Sequence, residues 1–310
     1  MIGVFVQGRD AREIVEAIVR AESLGIPAAW LTLGGVAADS PTVLAAAAVQ
    51  TRSIKLGTSI IPTWPRHPIA IAQQAVALAA LAPGRFRLGI GPSHQPAMER
   101  TFGVRWRSPL GQLREYLQVL TALLHGGSVD FVGKHVTARA RLASPVDVPV
   151  MASALRRASF LACGELADAA ISWVCPWDYL RATALPALKE GAARAARPTP
   201  PLIAHVPVCV HENVDEVTQA AREQVGFYAR VPFYAAMYGD AGFADAPQGV
   251  SEALVDALVV HGDEATVVSR LRAILAEGAG EVIAHPILAG EDRQESLTRA
   301  LNAVARANAR

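Results

Sequence analysis

Hydrophobic residues in this chain of 310 residues fall into eight short runs, separated by longer segments of mixed polarity. Most of the runs are continuously apolar rather than alternating with polar residues. This pattern is typical of strands that are buried on both faces of a parallel sheet. The predicted strands are Ile2–Val6, Ala28–Leu33, Ile54–Ile61, Phe86–Ile90, Val148–Ala152, Ala169–Val174, Leu202–Val210 and Glu281–Ile287.

The segments between these runs have the pattern of amphipathic helices. Within 10–24, Ile14 and Ile18 fall on one side of a helix and Glu16 and Arg20 on the other. Eight strand–helix alternations predict a (β/α)8 barrel, or TIM barrel, which needs about 250 residues. We expect residues 1–310 to form one such domain with two insertions. The insertion near 126–145 reads as a small hairpin, and the one near 233–250 is placed to cap the barrel mouth.

The main alternative fold is an open, doubly wound sheet. Its dinucleotide-binding form requires the motif G-x-G-x-x-G at the first strand–helix turn. This chain has Gln7-Gly8-Arg9-Asp10 at that turn. The barrel is therefore the stronger prediction.

Charge and composition exclude several classes of function. The 29 basic and 28 acidic side chains leave a net charge of +1, which provides no electrostatic footprint for nucleic acid or an anionic membrane. The 3 cysteines are widely spaced, and the histidines occur singly, so we expect neither a disulfide framework nor a metal site. There is no secretory signal pattern and no apolar stretch of bilayer length. We expect a cytoplasmic protein that acts on a small molecule.

Three motifs follow one another between Ile54 and His94. A strand ending in LGTSI precedes P-x-x-x-R-x-P and an alanine- and glutamine-rich helix, and GRFRLGIG is followed by a Ser-His pair. This segment resembles the bacterial luciferase-like family, and most closely the branch that uses the deazaflavin coenzyme F420. Weaker similarity runs over most of the chain. The resemblance implies a (β/α)8 barrel, usually a homodimer, that holds a flavin or deazaflavin ring at its C-terminal mouth.

The resemblance assigns a specific role to Ser59 and Ile60. Many deazaflavin-dependent relatives have a non-proline cis peptide bond at this position, behind the central ring of the cofactor. Such bonds are rare and usually have a functional reason. We therefore expect the backbone at Ser59-Ile60 to press on the ring from behind and to leave its other face to the substrate.

His94 follows the fourth predicted strand, at the end of the barrel where such enzymes keep their catalytic residues. Hydride delivery to a carbonyl, imine or polarised alkene leaves negative charge on the acceptor, and histidine is a suitable proton donor. In the related glucose-6-phosphate dehydrogenases a glutamate occupies the matching position. Histidine here implies a different substrate or role. We expect His94 to contact the cofactor or to act as the acid, with Ser93 donating to the same cofactor chain.

The turn Ser153-Ala154-Leu155-Arg156-Arg157 follows the fifth predicted strand and opens a helix. Backbone N–H groups at a helix N-terminus and two guanidinium groups suit a phosphate. The resemblance places the cofactor phosphate at this turn. Family members often have a glycine pair where this chain has Leu155 and Arg156, so an arginine replaces part of the backbone cradle. The alternative is a pair of solvated arginines.

Three tryptophans, Trp64, Trp173 and Trp177, lie near the ends of predicted strands. We expect them to line the substrate pocket, although ordinary packing at the barrel rim would explain them equally well. His205 and His285 lie within the last two strands. We predict that His205 is a core residue with satisfied hydrogen bonds and that His285 is near the mouth.

These observations predict an F420-dependent oxidoreductase that moves a hydride between C5 of the deazaflavin and a small, apolar organic substrate. Two alternatives stay open. One is an FMN-dependent monooxygenase of the same superfamily, and the other is a barrel that has lost catalysis and only binds a cofactor or partner. Because deazaflavin lacks the nitrogen that supports oxygen adducts, the cofactor decides the reaction class.

Overall fold

The computed structural model describes residues 1–32 and 36–309 of the chain. Its strands in chain order are β1 (Ile2–Val6), β2 (Ala28–Leu31), β3 (Lys55–Thr58), β4 (Ile61–Pro62), β5 (Phe86–Gly91), β6 (Ser128–Val132), β7 (Thr137–Arg141), β8 (Val150–Ser153), β9 (Ala169–Ile171), β10 (Leu202–Val210), β11 (Val260–Gly262) and β12 (Glu281–Pro286).

The α-helices surround these strands. They are α1 (Ala11–Ser23), α2 (Ser40–Ala48), α3 (Pro68–Leu81), α4 (Gln95–Phe102), α5 (Pro109–Gly126), α6 (Arg157–Leu166), α7 (Trp177–Tyr179), α8 (Leu185–Arg194), α9 (Val214–Gln224), α10 (Pro232–Asp240), α11 (Glu252–Leu258), α12 (Glu264–Ala276) and α13 (Arg293–Asn308). A π-helical turn (Leu180–Ala184) joins α7 to α8, and a 3-10 turn (Gly226–Arg230) precedes α10. Within the described ranges no helix combines the length and apolarity that crossing a bilayer requires.

Eight parallel strands close a barrel, which confirms the predicted fold. The ring runs β1, β2, β3, β5, β8, β9, β10 and β12, and β12 pairs with β1 to complete it. Nearly all residues of these strands are buried, as their continuous apolar sequences predict. Strand β4 is a short extension beside β5, and β11 pairs with β10 outside the ring.

The two predicted insertions have defined structures. The first is the antiparallel hairpin β6–β7, as predicted. The Glu115 carboxylate on α5 accepts hydrogen bonds from the backbone N–H groups of residues 134, 135 and 136, which ties the hairpin turn to that helix. The second insertion contains most of α10, which brings Phe233 and Tyr234 to the C-terminal mouth of the barrel.

Two predicted strands are shorter than their apolar runs. The run Ile54–Ile61 divides into β3 and β4, and the peptide bond between Ser59 and Ile60 in the gap is cis. The run Ala169–Val174 ends at Ile171, because the chain bends away from the sheet toward Val174, which has a left-handed φ of 47°. Leu33, the predicted end of the second strand, lies outside the described residues.

The barrel interior at the N-terminal ends of the strands is filled by a polar cluster around Trp30. Its indole Nε1 donates to Glu281, and the guanidinium of Arg87 lies 4.3 Å from its ring centroid. Arg87 and Glu281 form a bidentate ion pair with N–O distances of 2.5 and 2.9 Å. A Cβ atom at Gly57 would lie 2.4 Å from the Trp30 ring, so glycine makes room for the indole. This cluster closes the end of the barrel opposite the mouth.

Candidate active site

A large cavity opens at the C-terminal ends of the barrel strands. It encloses about 1570 Å³, including the part that is open to solvent. Its walls are formed by the ends of β3, β5, β8 and β9, by the start of α5, and by the segment around α10. The lining residues are Thr32, Ser59, Ile60, Pro62, Pro92, Ser93, His94, Trp106, Pro109, Leu110, Leu113, Ser153, Ala154, Leu155, Arg156, Ala158, Ser159, Ile171, Trp173, Phe227, Tyr228, Phe233 and Tyr234.

Ser59 and Ile60 form part of the cavity wall where β3 ends. Ser59 is buried, and its backbone carbonyl oxygen accepts a hydrogen bond from the Thr32 hydroxyl. The hydroxyl oxygens of Thr32 and Ser59 are 3.1 Å apart. Close packing from the neighbouring strand supports this wall. A Cβ atom at Gly91 would lie 2.1 Å from Ser153 Oγ and 3.1 Å from Ile60 Cγ1. Gly91 therefore brings the ends of β3, β5 and β8 together without a side chain between them.

Ser93 and His94 extend from β5 into the cavity wall. Ser93 has a left-handed φ of 64°, and His94 is the residue that precedes α4. The His94 ring lies among aromatic residues, with centroid distances of 5.8 Å to Tyr234 and 6.2 Å to Tyr228. Burial lowers the pKa of His94 below its usual 6.5, so the imidazole is neutral at pH 7. A neutral ring can donate one hydrogen bond and accept one.

The turn after β8 divides the two predicted arginines between different environments. Arg156 lines the cavity, and its guanidinium pairs with Asp240 at the end of α10, with an Nε–Oδ2 distance of 2.7 Å. Arg157 is not among the lining residues and pairs with Glu190 on α8. Arg156 is therefore the arginine that the structure brings to the site.

The Ser159 hydroxyl forms hydrogen bonds with backbone N–H groups of the same turn. Its Oγ accepts from the N–H groups of Leu155 and Arg156, at 3.1 and 3.2 Å, and donates to the Arg156 carbonyl. These two N–H groups were expected to face a phosphate, and they are instead hydrogen-bonded within the turn. An anion at this turn would therefore depend mainly on the Arg156 guanidinium.

The three predicted tryptophans have three different positions. Trp173 lines the cavity. Trp64 is not part of the lining and packs against Trp106, which is, with ring centroids 5.1 Å apart. Trp177 is directed away from the cavity, because its indole Nε1 donates to Glu277 at the end of α12.

Trp173 is fixed by a chain of hydrogen-bonded side chains beneath it. Its ring stacks on His205, whose Nδ1 accepts from the Val174 N–H at 3.1 Å and whose Nε2 lies 3.0 Å from His285 Nδ1. His285 Nε2 is in turn 3.0 Å from the Gln7 side-chain amide. His205 is thus a satisfied core residue, as predicted, and burial lowers the pKa of both histidines.

Sequence reasoning missed several aromatic residues of the site. Trp106 precedes α5, while Phe227 and Tyr228 follow α9, and all three line the cavity. The aromatic-rich stretch FYARVPFYAAMY at 227–238 was the available signal. Only its second part was included in the segment predicted to cap the mouth.

The cavity carries little formal charge. Among the described lining residues, Arg156 is the one side chain with a permanent charge, and none is a carboxylate. The described ranges also contain no group of three or more His, Cys, Asp or Glu side chains placed to hold a metal ion. The site is therefore suited to a large, mostly apolar ligand with a few fixed polar contacts.

Comparison with known families identifies the class of this barrel. Residues 3–281 match the model of the luciferase-like monooxygenase family, and the chain belongs to that family. This confirms the resemblance seen in the sequence.

Two relatives are described as reductase and dehydrogenase. The F420-dependent glucose-6-phosphate dehydrogenase of Mycolicibacterium smegmatis is 31% identical over 70% of this chain and 69% of its own length. The 5,10-methylenetetrahydromethanopterin reductase of Methanopyrus kandleri is 26% identical over 92% of this chain and 91% of its own length.

Solved structures with the same fold include proteins with either cofactor. An F420-dependent secondary alcohol dehydrogenase, in complex with an F420–acetone adduct, has a TM-score of 0.83 at 19% identity, covering 99% of this chain and 97% of that one. The oxygenating constituent of 3,6-diketocamphane monooxygenase from Pseudomonas putida, in complex with FMN, has a TM-score of 0.74 at 20% identity, covering 98% of this chain and 96% of that one. At these identities the likeness shows the shared fold.

Proposed function

We propose that this protein is an F420-dependent oxidoreductase that transfers a hydride between C5 of the deazaflavin and a small organic substrate. One observation carries the proposal. Ser59, Ile60, His94 and Arg156 all line one mostly apolar cavity at the barrel mouth. The F420-dependent relatives in the same family support the choice of cofactor.

The cavity residues fit such a cofactor. The cavity volume of about 470 Å³ lies within the roughly 300–1,000 Å³ of ordinary small-molecule pockets, and the cavity is open to solvent, so a tricyclic ring can lie inside while its chain extends toward the mouth. Ser59 and Ile60 would support the ring, and Ser93 and His94 would hydrogen-bond to the ring or its chain. Ser153 and Arg156 would hold the phosphate end, beside Ala154 and Leu155. When bound, the deazaflavin supplies the hydride chemistry.

The protein itself contributes orientation and exclusion of water. Trp106, Trp173 and Phe233 wall the cavity with apolar surface, which lowers the local dielectric around any polar contact. The neutral His94 ring positions a ligand by hydrogen bonds rather than by charge. Because Arg156 is the one permanently charged side chain among the described lining residues, we propose an uncharged substrate rather than a sugar phosphate.

A second candidate is an FMN-dependent monooxygenase, since a monooxygenase component with the same fold has been solved in complex with FMN. Titrating the purified protein separately with F420 and FMN distinguishes the candidates. We expect quenching of F420 fluorescence at stoichiometric binding, no uptake of FMN, and reoxidation of reduced F420 by a neutral substrate. Tight FMN binding would favour the monooxygenase, and binding of neither would favour a barrel without catalysis. The homodimer expected from the resemblance stays a prediction, which sedimentation of the purified protein tests.

A further inference from the structure

Tyr228 presents a hydroxyl group whose proton is not used within the described part of the chain. The side chain lines the cavity, and its oxygen is 2.7 Å from the Nε1 of Trp173. Indole N–H is only a donor, so the Tyr228 oxygen is the acceptor in this contact. Among the described residues the Tyr228 O–H donates no hydrogen bond. This proton remains available to a ligand in the cavity.

The position of this hydroxyl is fixed by its neighbours. The Trp173 indole is packed between the edge contact of Phe5, with centroids 5.2 Å apart, and the stacked ring of His205 at 3.7 Å. The Tyr228 ring packs against Tyr234 at 4.7 Å. A donor that is held on both sides loses little conformational entropy when it binds a ligand oxygen, and such preorganisation favours catalysis.

Among the described lining residues, the hydroxyl groups of Ser93, Ser153 and Tyr234 also donate to no other residue, but none of them is held by an N–H donor as Tyr228 is held by Trp173. No lining residue in the described ranges is a carboxylic acid or a lysine. The one guanidinium, on Arg156, does not release a proton and is paired with Asp240. His94 lies beside Tyr228, and because burial lowers the pKa of its imidazole, less of the protonated form is present near pH 7 than for an exposed histidine.

We propose that Tyr228 is the proton donor to the oxygen of an uncharged ketone or aldehyde substrate. This inference rests on the proposed function and names its substrate class. A bound, reduced deazaflavin would supply the hydride, with its two electrons, to the carbonyl carbon. The C=O π bond breaks, and the oxygen takes the Tyr228 proton. The Trp173 N–H stabilises the resulting phenolate through a charge-assisted hydrogen bond, and water at the cavity mouth returns the proton.

Isotope-edited infrared spectroscopy tests the contact without turnover. Cyclohexanone labelled with carbon-13 at the carbonyl serves as the probe, added to the full-length protein with and without oxidised F420. We expect the C=O band to lie at lower frequency in the wild type than in Tyr228→Phe, because only the wild type donates to the oxygen. Tyr116→Phe is the matched control, since the Tyr116 hydroxyl donates to the Arg66 carbonyl outside the cavity. An identical band position in wild type and Tyr228→Phe would overturn the proposal.

Kinetics with reduced F420 provide the second test. Tyr228→Phe should lower kcat for cyclohexanone by about 100-fold or more, the lower end of the usual contribution of a general acid, and leave F420 affinity unchanged. Undiminished turnover in Tyr228→Phe, or a comparable loss in Tyr116→Phe, would refute the assignment. A loss in Tyr234→Phe with an active Tyr228→Phe would reassign the donor. If the wild type binds no F420, the proposed function fails, while the infrared band still tests Tyr228.

Discussion

The indole of Trp173 lies nearly parallel to the imidazole of His205, with ring centroids 3.7 Å apart. The hydrogen bonds beneath the stack fix the protonation of both histidines. Because the Val174 N–H donates to His205 Nδ1, the proton of the neutral ring is on Nε2, which donates to His285 Nδ1. His285 then carries its proton on Nε2, and because the atom 3.0 Å away is the Gln7 side-chain nitrogen, this tautomer requires the Gln7 amide to turn its oxygen toward the ring. With one neutral tautomer of each histidine, every hydrogen bond from Val174 through His205 and His285 to Gln7 has one donor and one acceptor.

The hydrogen-bonded pair His205 and His285 predicts that the protein loses stability in acid. Burial lowers the pKa of His285 from 6.5 to about 4. Below pH 6.5 the unfolded state binds a proton that the folded state excludes, so stability is complete above that pH and falls as the pH approaches 4. The loss for this residue is about 3 kcal/mol in the free energy of unfolding. Urea unfolding between pH 6.5 and 4 measures it.

A glutamine substitution isolates the contribution of His285. In His285→Gln the amide can still accept from His205 and contact Gln7, but it cannot be protonated. We expect a smaller decrease in the free energy of unfolding with falling pH than in the wild type. His135→Gln, in the exposed turn of the hairpin, is the control and should keep the wild-type dependence. Equal slopes for His285→Gln and the wild type would contradict the neutral chain.

The two adjacent arginines predict different effects on F420 binding. Arg156 lines the cavity and Arg157 does not, so Arg156→Ala should weaken F420 binding by about tenfold or more, or at least 1.4 kcal/mol, through loss of a charge-assisted contact. Arg157→Ala should have little effect. Asp240→Asn keeps the Arg156 cation and removes its counter-charge, so binding should be equal or tighter. Fluorescence titration measures all three, and weaker binding in Asp240→Asn would indicate that the ion pair only anchors α10.

Gly91, at the end of β5, allows a steric test of the cofactor site. In Gly91→Ala the new Cβ would lie 2.1 Å from Ser153 Oγ, so the ends of β5 and β8 must move apart. We expect loss of F420 affinity together with overpacking costs of about 1–3 kcal/mol in unfolding free energy. Gly126→Ala, where no atom lies within 4 Å of the added methyl group, is the control. Cofactor affinity that survives Gly91→Ala would place the ring elsewhere in the cavity.

The barrel was predictable because its strands are buried on both faces and therefore have continuous apolar sequences. The same periodicity overestimated the runs that end at Ile61 and Val174, since apolar composition does not reveal where the backbone leaves the sheet. Residues directly at strand ends, such as Ser59, His94 and Arg156, were found because the chain itself carries them to the mouth.

Side chains placed by distant contacts were harder to predict. Tyr228 reaches the cavity from a 3-10 turn after α9, and its position depends on packing against residues from other parts of the chain. Trp177 is the first residue of α7, close in sequence to Trp173, yet a hydrogen bond to Glu277 turns it away from the cavity. Sequence spacing gives the position of a residue along an element, while partners of this kind decide where its side chain points.

Breaking the ion pair at the closed end of the barrel should lower the stability of the protein strongly and leave cofactor binding unchanged. Glu281 and Arg87 have side chains that are 5% and 11% exposed, and Glu281 also accepts from the Trp30 indole. Glu281→Gln removes the negative charge and leaves the Arg87 cation buried without compensation. Breaking a buried pair in this way costs about 3–5 kcal/mol. We expect this loss in urea unfolding and unchanged F420 affinity, because the pair is at the opposite end of the barrel.

Two further variants separate the buried charge from a general loss of polar contacts. Asp130→Asn removes one partner of the Arg139–Asp130 pair, whose side chains are 73% and 74% exposed, and should change the unfolding free energy by less than about 1 kcal/mol. Replacing both buried partners, as Arg87→Met with Glu281→Met, removes the uncompensated cation and should recover part of the stability lost in Glu281→Gln. A double variant that is less stable than Glu281→Gln would mean that the ion pair itself stabilises the barrel, beyond balancing its own buried charges.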